Sequence, residues 1–255
     1  CIARTMPQII AFKIENKNFR PLKISFSNYI FSEDAHGCCV LDNKIYVMAT
    51  EGEQNGQKAE GIVGPGKDHV GKIIVSEIIF MGDDIIIKDS KIFNPFDCKH
   101  HHHINDLNIL NNVLYLSSHT HCDKNKTFIK KGAISKLNLS LQATVINNKT
   151  EHPHSITFFN NRLYACSSGL ASIFSIDPSN DLTQLEYKGT NAYLRGLLIT
   201  QSYFYFGMSI SKSRSESKFY NMESGILQFN RKTGEVKRIK FPEIYDSIYA
   251  IISVN

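Results

Sequence analysis

The chain has no apolar run long enough to cross a membrane as a helix, and no stretch of about 11 residues or more with a helical hydrophobic period. A helical membrane span and a helix bundle are thereby argued against. Its six cysteines, Cys1, Cys38, Cys39, Cys98, Cys122 and Cys166, show no paired zinc-ligand spacing. In a domain this large a disulfide framework is not expected, which favours a reducing, cytoplasmic setting. No signal peptide is present, so Cys1 leaves a processed lipoprotein or secreted form, an excised domain and a truncation open. The sequons at Asn125, Asn138 and Asn148 carry little weight without a sign of secretion.

Clustered basic charge is also missing. The net charge is only +5, and the tightest groups are Lys130-Lys131 and the stretch from Lys212 to Arg214. Without basic runs interleaved with aromatics, a nucleic-acid partner is not expected. The GPGK stretch at 64–67 lacks the spacing and the strand-to-helix setting of a nucleotide-binding loop.

What is present is a repeat. Asp34-Ala-His36-Gly precedes VLDNKIYV, His103-Ile-Asn105-Asp106 precedes ILNNVLYL, His152-Pro-His154-Ser precedes FFNNRLYA, and Tyr193-Leu-Arg195-Gly precedes ITQSYFYF. Each unit is a polar leader, a hydrophobic strand, a two-residue polar turn and a second strand, the pattern of a recurring β-hairpin. The tyrosines of the second strands, Tyr46, Tyr115, Tyr164 and Tyr205, are spaced by 69, 49 and 41 residues. Further β-rich runs follow each hairpin, among them Ala133-ISKLNLS-Leu141 and Gly225-ILQFN-Arg231. Periods of roughly 40 to 50 residues with several strands each predict β-propeller blades.

The expected fold is therefore all-β, a single propeller domain over 1–255. Blades are expected at about 31–98, 99–148, 149–190 and 191–242. A fifth pairs residues 1–30 with 243–255, because IIAFKIENKNFRPLKISF resembles the outer part of a unit and Tyr245-Asp246-Ser247 with IYAIISV resembles an unpartnered inner strand. Such mixing of terminal strands closes the ring without exposed edges. A sixth blade exists only if the 69-residue interval hides one.

Strand side chains alternate faces with period two. Counting ten residues back from each tyrosine reaches His36, Asn105, His154 and Arg195, and two further back Asp34, His103, His152 and Tyr193. These eight share a parity and are expected to line one mouth of the central channel, with Asp246 in the comparable place on the fifth inner strand. Three imidazoles with a carboxylate suit a divalent transition metal such as zinc, iron, copper, nickel or manganese. The expected ligands are His36, His103 and His154, completed by Asp246 or His152. Channel-facing polar residues that merely tie blades together are the competing reading. In the run His100 to His103 alternate members point apart, and only His101 and His103 can share a site. His119 and His121 with Cys122 and Asp123 form a second, smaller candidate.

Arg195 cannot ligate a metal and needs an anion, either Asp34 or Asp246 or an anionic ligand. The insertions Glu51 to Gly71 and Ser209 to Met222 lie where binding loops belong. Two functions follow. One is a metal-dependent enzyme acting on a small anionic substrate, with Arg195 fixing the anion, Asp34, Asn105 and Tyr193 contacting substrate, and His152 or Asp246 moving protons. The other is a non-catalytic module that binds a peptide, sugar or protein partner.

Four segments carry a resemblance: His103-Ile-Asn105-Asp106; His154-Ser155-Ile156 with Asn160-Asn161-Arg162-Leu163-Tyr164; Leu194-Arg195-Gly196-Leu197 with Gly207-Met208-Ser209; and Glu243-Ile244-Tyr245-Asp246. In these, and in their order, the chain from His103 to Ile252 resembles the bacterial family known as domain of unknown function 4915. It departs from that pattern at Asp106 and Ile156, where the family has glycine and proline. The resemblance implies a propeller-like fold and brings no established activity.

Overall fold

The computed structural model describes residues 2–3, 8–9, 11–15, 18–28, 37–51, 70–96, 103–123, 125–179, 182–189, 193–209, 224–240 and 251. It is all-β, with a single short 3-10 turn at Ser168–Leu170 among the described residues. Contacts divide the chain into two compact units. The first is Cys1–Lys130 with Ser135–Val145 and Val254–Asn255, and the second Lys131–Ile134 with Ile146–Ser253.

In the first unit, β1 (Lys23–Ser27), β2 (Cys38–Leu41), β3 (Lys44–Glu51), β4 (Val70–Met81) and β5 (Asp84–Phe93) form one sheet in the order β1-β5-β4-β3-β2. The pair β1–β5 is parallel and the rest antiparallel. Residues 23–27, expected in the closing blade, thus belong to this sheet. The half-buried Ile24 packs there against a cluster that includes Ile85 and Ile87. The partners expected for a closing blade at 243–250 and 252–255 lie outside the described residues.

A second sheet runs β6 (Ile104–Leu110), β7 (Val113–Ser118), β8 (Ala133–Leu137) and β9 (Ala143–Asn147), its neighbours consecutive in sequence. The second unit holds two more sheets of the same kind. One is β10 (Pro153–Phe159), β11 (Arg162–Ser167), β12 (Ser172–Asp177) and β13 (Leu182–Lys188). The other is β14 (Tyr193–Ile199), β15 (Tyr203–Ser209), β16 (Gly225–Asn230) and β17 (Val236–Lys240).

The turns explain the hairpins. Asp42-Asn43, Asn111-Asn112 and Asn160-Asn161 all have positive φ, between 48° and 62°. That is the type I′ geometry whose twist matches paired strands, and Asn and Asp tolerate it best after glycine. Cys38 and Cys39 face opposite ways as period two requires: Cys39 packs in the cluster of Ile73, Leu107 and Leu116, and Cys38 in that of Val47 and Ile87. In the second unit Cys166, Ile173, Leu194, Phe204 and Phe206 fill the space between its two sheets. Burying each such side chain contributes roughly 1.5–3 kcal/mol.

Cys38, Cys39 and Cys166 are reduced, whereas Cys122 is disulfide-bonded. The chain therefore carries a bridge where none was expected. No helix among the described residues is long and apolar enough to cross a membrane.

Candidate functional site

Each of the strands β6, β10 and β14, the first of its sheet, is interrupted by a bulge near its head: between Ile104 and Asp106, between His154 and Thr157, and between Arg195 and Leu197. Ser155 and Gly196 sit there at φ 54° and 66°. A bulge bends the strand and re-aims neighbouring side chains. Asn105, His154 and Arg195 are all buried, at 6%, 6% and 8% exposure. Three polar side chains at equivalent repeat positions are thus held inside the protein.

In the second unit three of the expected site residues meet. The His154 ring lies edge-on to Tyr193, with centroids 5.4 Å apart, and the Arg195 guanidinium lies 4.9 Å over the other end of the contact, the Tyr193 ring. Tyr193 and Arg195 project to the same side, as their i, i+2 spacing requires. Strands β10 and β14 are stitched together where Ser155 Oγ accepts from the Gly196 amide at 2.6 Å.

The tautomer of His154 follows from its partners. Nδ1 is 2.8 Å from the His152 carbonyl, which can only accept, so Nδ1 carries the proton. Ser168 Oγ shares it at 3.0 Å while donating its own proton to the Leu194 carbonyl at 2.5 Å. Nε2 is then the basic nitrogen, the arrangement in which a backbone carbonyl orients an imidazole for proton transfer or metal binding.

His152 differs from expectation. It precedes β10 in left-handed backbone, φ 48°, and so is a turn residue rather than a strand position. The period-two rule does not extend to it; its contribution to His154 is its carbonyl.

In the first unit, His103 is half-buried just ahead of β6 and Asn105 is the extra residue of the bulge. Asp106 Oδ1 accepts from the Leu107 amide at 2.9 Å. Burial, and less strongly the neighbouring Cys38 and Asp106, push the Cys39 thiol up to about 12. Cys38 is raised as well, mainly by burial. Neither thiol is activated as a nucleophile.

Asp34, His36 and Asp246 lie outside the described residues, as do His100 to His102 and most of both long insertions. Among the described residues no group of three or more His, Cys, Asp or Glu side chains is placed to hold a metal ion. The smaller candidate at His119, His121, Cys122 and Asp123 is corrected. Cys122 is in a disulfide and has no thiolate to offer, His121 is buried beside Phe96, and Asp123 Oδ1 accepts from the amides of Asn125 and Thr127.

Sequence reasoning missed Ser168, which the 3-10 turn after β11 brings under His154, and Ser155, whose left-handed conformation nothing in the residue type announces.

No family model matches the chain and no curated protein matches it. Solved structures do. A luciferin-regenerating enzyme is 11% identical with a TM-score of 0.48, over 82% of this chain and 76% of that one. The GH43 BlXynB protein from Bacillus licheniformis is 13% identical with a TM-score of 0.46, over 80% of this chain and 41% of that one. A chain of the nidogen/laminin complex is 10% identical with a TM-score of 0.48, over 96% and 94%. Likeness at this level says nothing about the chemistry of the site.

Proposed function

We propose that the four sheets are blades of a β-propeller, with a fifth built from the chain ends, and that the heads of the inner strands form a site for a small anionic molecule. The observation that carries this reading is the buried line of His154, Tyr193 and Arg195, drawn from two inner strands. A guanidinium steadied by a tyrosine ring offers a carboxylate, phosphate or sulfate a planar fork of fixed charge. Asp34 and Asn105 line the same mouth in this reading, and Asp246 moves protons.

The imidazole chemistry of His154 fits a divalent transition metal, with His36, His103 and Asp246 as its other ligands. Such a metal would supply Lewis-acid chemistry to the bound anion. The resemblance to the family of domain of unknown function 4915 belongs to the same reading. The Cys122 bridge supports an oxidising compartment over the reducing one that the cysteine pattern suggests.

The test is calorimetric titration of protein made without a histidine tag against inorganic phosphate, sulfate and acetate, with elemental analysis of the same sample. At least one anion should bind, Arg195→Lys should weaken it about tenfold through loss of the bidentate fork, and about one equivalent of transition metal should be present. No binding by any of the three anions would overturn the anion site, and metal-free protein that takes up none on reconstitution would overturn the metal.

A further inference from the structure

At the opposite ends of the same strands, roughly 15–20 Å from His154 by strand rise, the second unit has an open cavity of about 630 Å³. Its wall is made by the hairpin turns β10–β11, β14–β15 and β16–β17, together with Glu186 on β13. The residues that give it a chemical character are Asn160, Glu186, Gln201, Tyr203, Phe229 and Arg231. None belongs to the site already described.

We propose that this cavity binds a saccharide, as a single sugar ring or a disaccharide. A sugar ring has an apolar C–H face and a rim of vicinal hydroxyls, so it calls for an aromatic surface bordered by planar polar groups that hydrogen-bond two neighbouring hydroxyls at once. Both halves are present.

The aromatic half is preordered. Phe229 stacks on Phe204 at 5.9 Å and 15°, and meets Tyr187 edge-on at 5.1 Å. Tyr203 is half-buried 5.9 Å from Tyr205, whose hydroxyl accepts from Gln228 Nε2 at 2.9 Å. Little side-chain freedom remains to be lost when a ligand arrives.

The polar half is a carboxylate, three side-chain amides, a guanidinium and an ammonium, from Glu186, Asn160, Gln201, Asn230, Arg231 and Lys232. Ser175 Oγ donates to Glu186 Oε1 at 2.5 Å and sets the carboxylate's orientation. Arg231 lies over the rings of Phe204 and Phe159 at 4.9 and 5.2 Å and donates from Nη1 to the carbonyls of Thr200 and Gln201 at 3.1 and 3.4 Å. Asn230 Oδ1 accepts from the amides of Lys232 and Thr233 at 2.9 and 3.0 Å and orders the turn that carries them. An anion would meet the Glu186 carboxylate as well as the cations Arg231 and Lys232, and Arg231 is already engaged with carbonyls and rings. A purely apolar ligand would leave the amides and the carboxylate without partners. The volume lies within the range of small-molecule sites.

Saturation-transfer NMR and calorimetry of the intact chain against D-glucose, D-galactose, D-mannose, D-xylose, N-acetyl-D-glucosamine, maltose, cellobiose and lactose test the proposal. At least one sugar should bind, and Glu186→Gln and Tyr203→Ala should each weaken it by about tenfold or more. Arg195→Lys should leave it unchanged, which separates this site from the anion site. If Tyr203→Ala does not fold, Gln201→Ala, an exposed turn position, replaces it with the same expected direction. No binding by any of these sugars overturns the proposal. So does undiminished binding by folded Glu186→Gln, or loss of binding in Arg195→Lys.

Discussion

At the head of β6 the His103 carbonyl accepts from the His119 amide at 2.8 Å; at the head of β10 the His152 carbonyl accepts from the Ser168 amide at 3.2 Å. Counted from Tyr115 and Tyr164 these are the same two positions, and both strands bulge just beyond them. The two heads share a backbone plan and differ in what it carries. One buries Asn105 with histidine at 119, and the other buries His154 with serine at 168. At the second a hydroxyl joins the ring nitrogen to the backbone of the neighbouring strand β14, at Leu194. Repeated backbone geometry therefore sets where a polar group is held, and at the second head the Ser168 side chain on the following turn ties that group to β14.

The heaviest blow to that comparison is Gly132→Ala. A Cβ there would clash with the Pro153 ring and come within 2.8 Å of the Thr150 carbonyl, in the turn that carries His152. Overpacking of this kind costs about 1–3 kcal/mol, and urea unfolding should show a lowered midpoint at unchanged slope. A midpoint like that of the parent chain would mean that the turn adapts and that the second head is less rigid than described.

Ser168→Ala is a narrower cut. It takes the hydroxyl from a buried carbonyl and from Nδ1 of His154, at a cost of about 1–2 kcal/mol. His119→Ala, at the half-buried equivalent position of the first head, should cost less. Equal losses would erase the distinction between the heads.

The smallest effect is a drift with pH. Cys38, Cys39, Tyr46 and Tyr115 in the first unit, and Tyr164 and Tyr187 in the second, are all raised mainly by burial. A raised folded value means that the unfolded chain ionises first. The stability these groups lend is whole below their ordinary values and falls as pH rises toward the folded ones, for Cys39 between 9.0 and about 12. Melting temperatures should decline steadily from about pH 9 upward. Cys39→Ala should flatten that decline, and an unaltered slope would place the alkaline sensitivity in Cys38 and the buried tyrosines.

The hairpins were legible because their signal is local. Alternating apolar residues around Asn-Asn or Asp-Asn pairs leave a strand pair and a type I′ turn as the favourable outcome, and each of the three such hairpins forms in register. The equivalent positions of Asn105, His154 and Arg195 were legible for the same reason, since equal distance from equivalent tyrosines meant an equal place in the repeat; their burial was not. The parallel pairing of 23–27 with β5 was not, because an exposed edge strand of alternating pattern suits many partners and only the cluster around Ile85 and Ile87 selects one. Ser155 and Ser168 were equally hidden, as neither bulge position nor turn contact leaves a mark in residue type.

The amino-acid order by itself determined which segments are strands, where they turn and which polar residues recur at their heads, because these depend on side-chain alternation and turn chemistry within a few residues. Only the tertiary structure decided that His154 carries its proton on Nδ1, that Tyr193 bridges it to Arg195, and that an aromatic and amide-lined cavity opens at the other end of the same strands. Those depend on bulges and on contacts between residues far apart in the chain, for which sequence spacing has no measure.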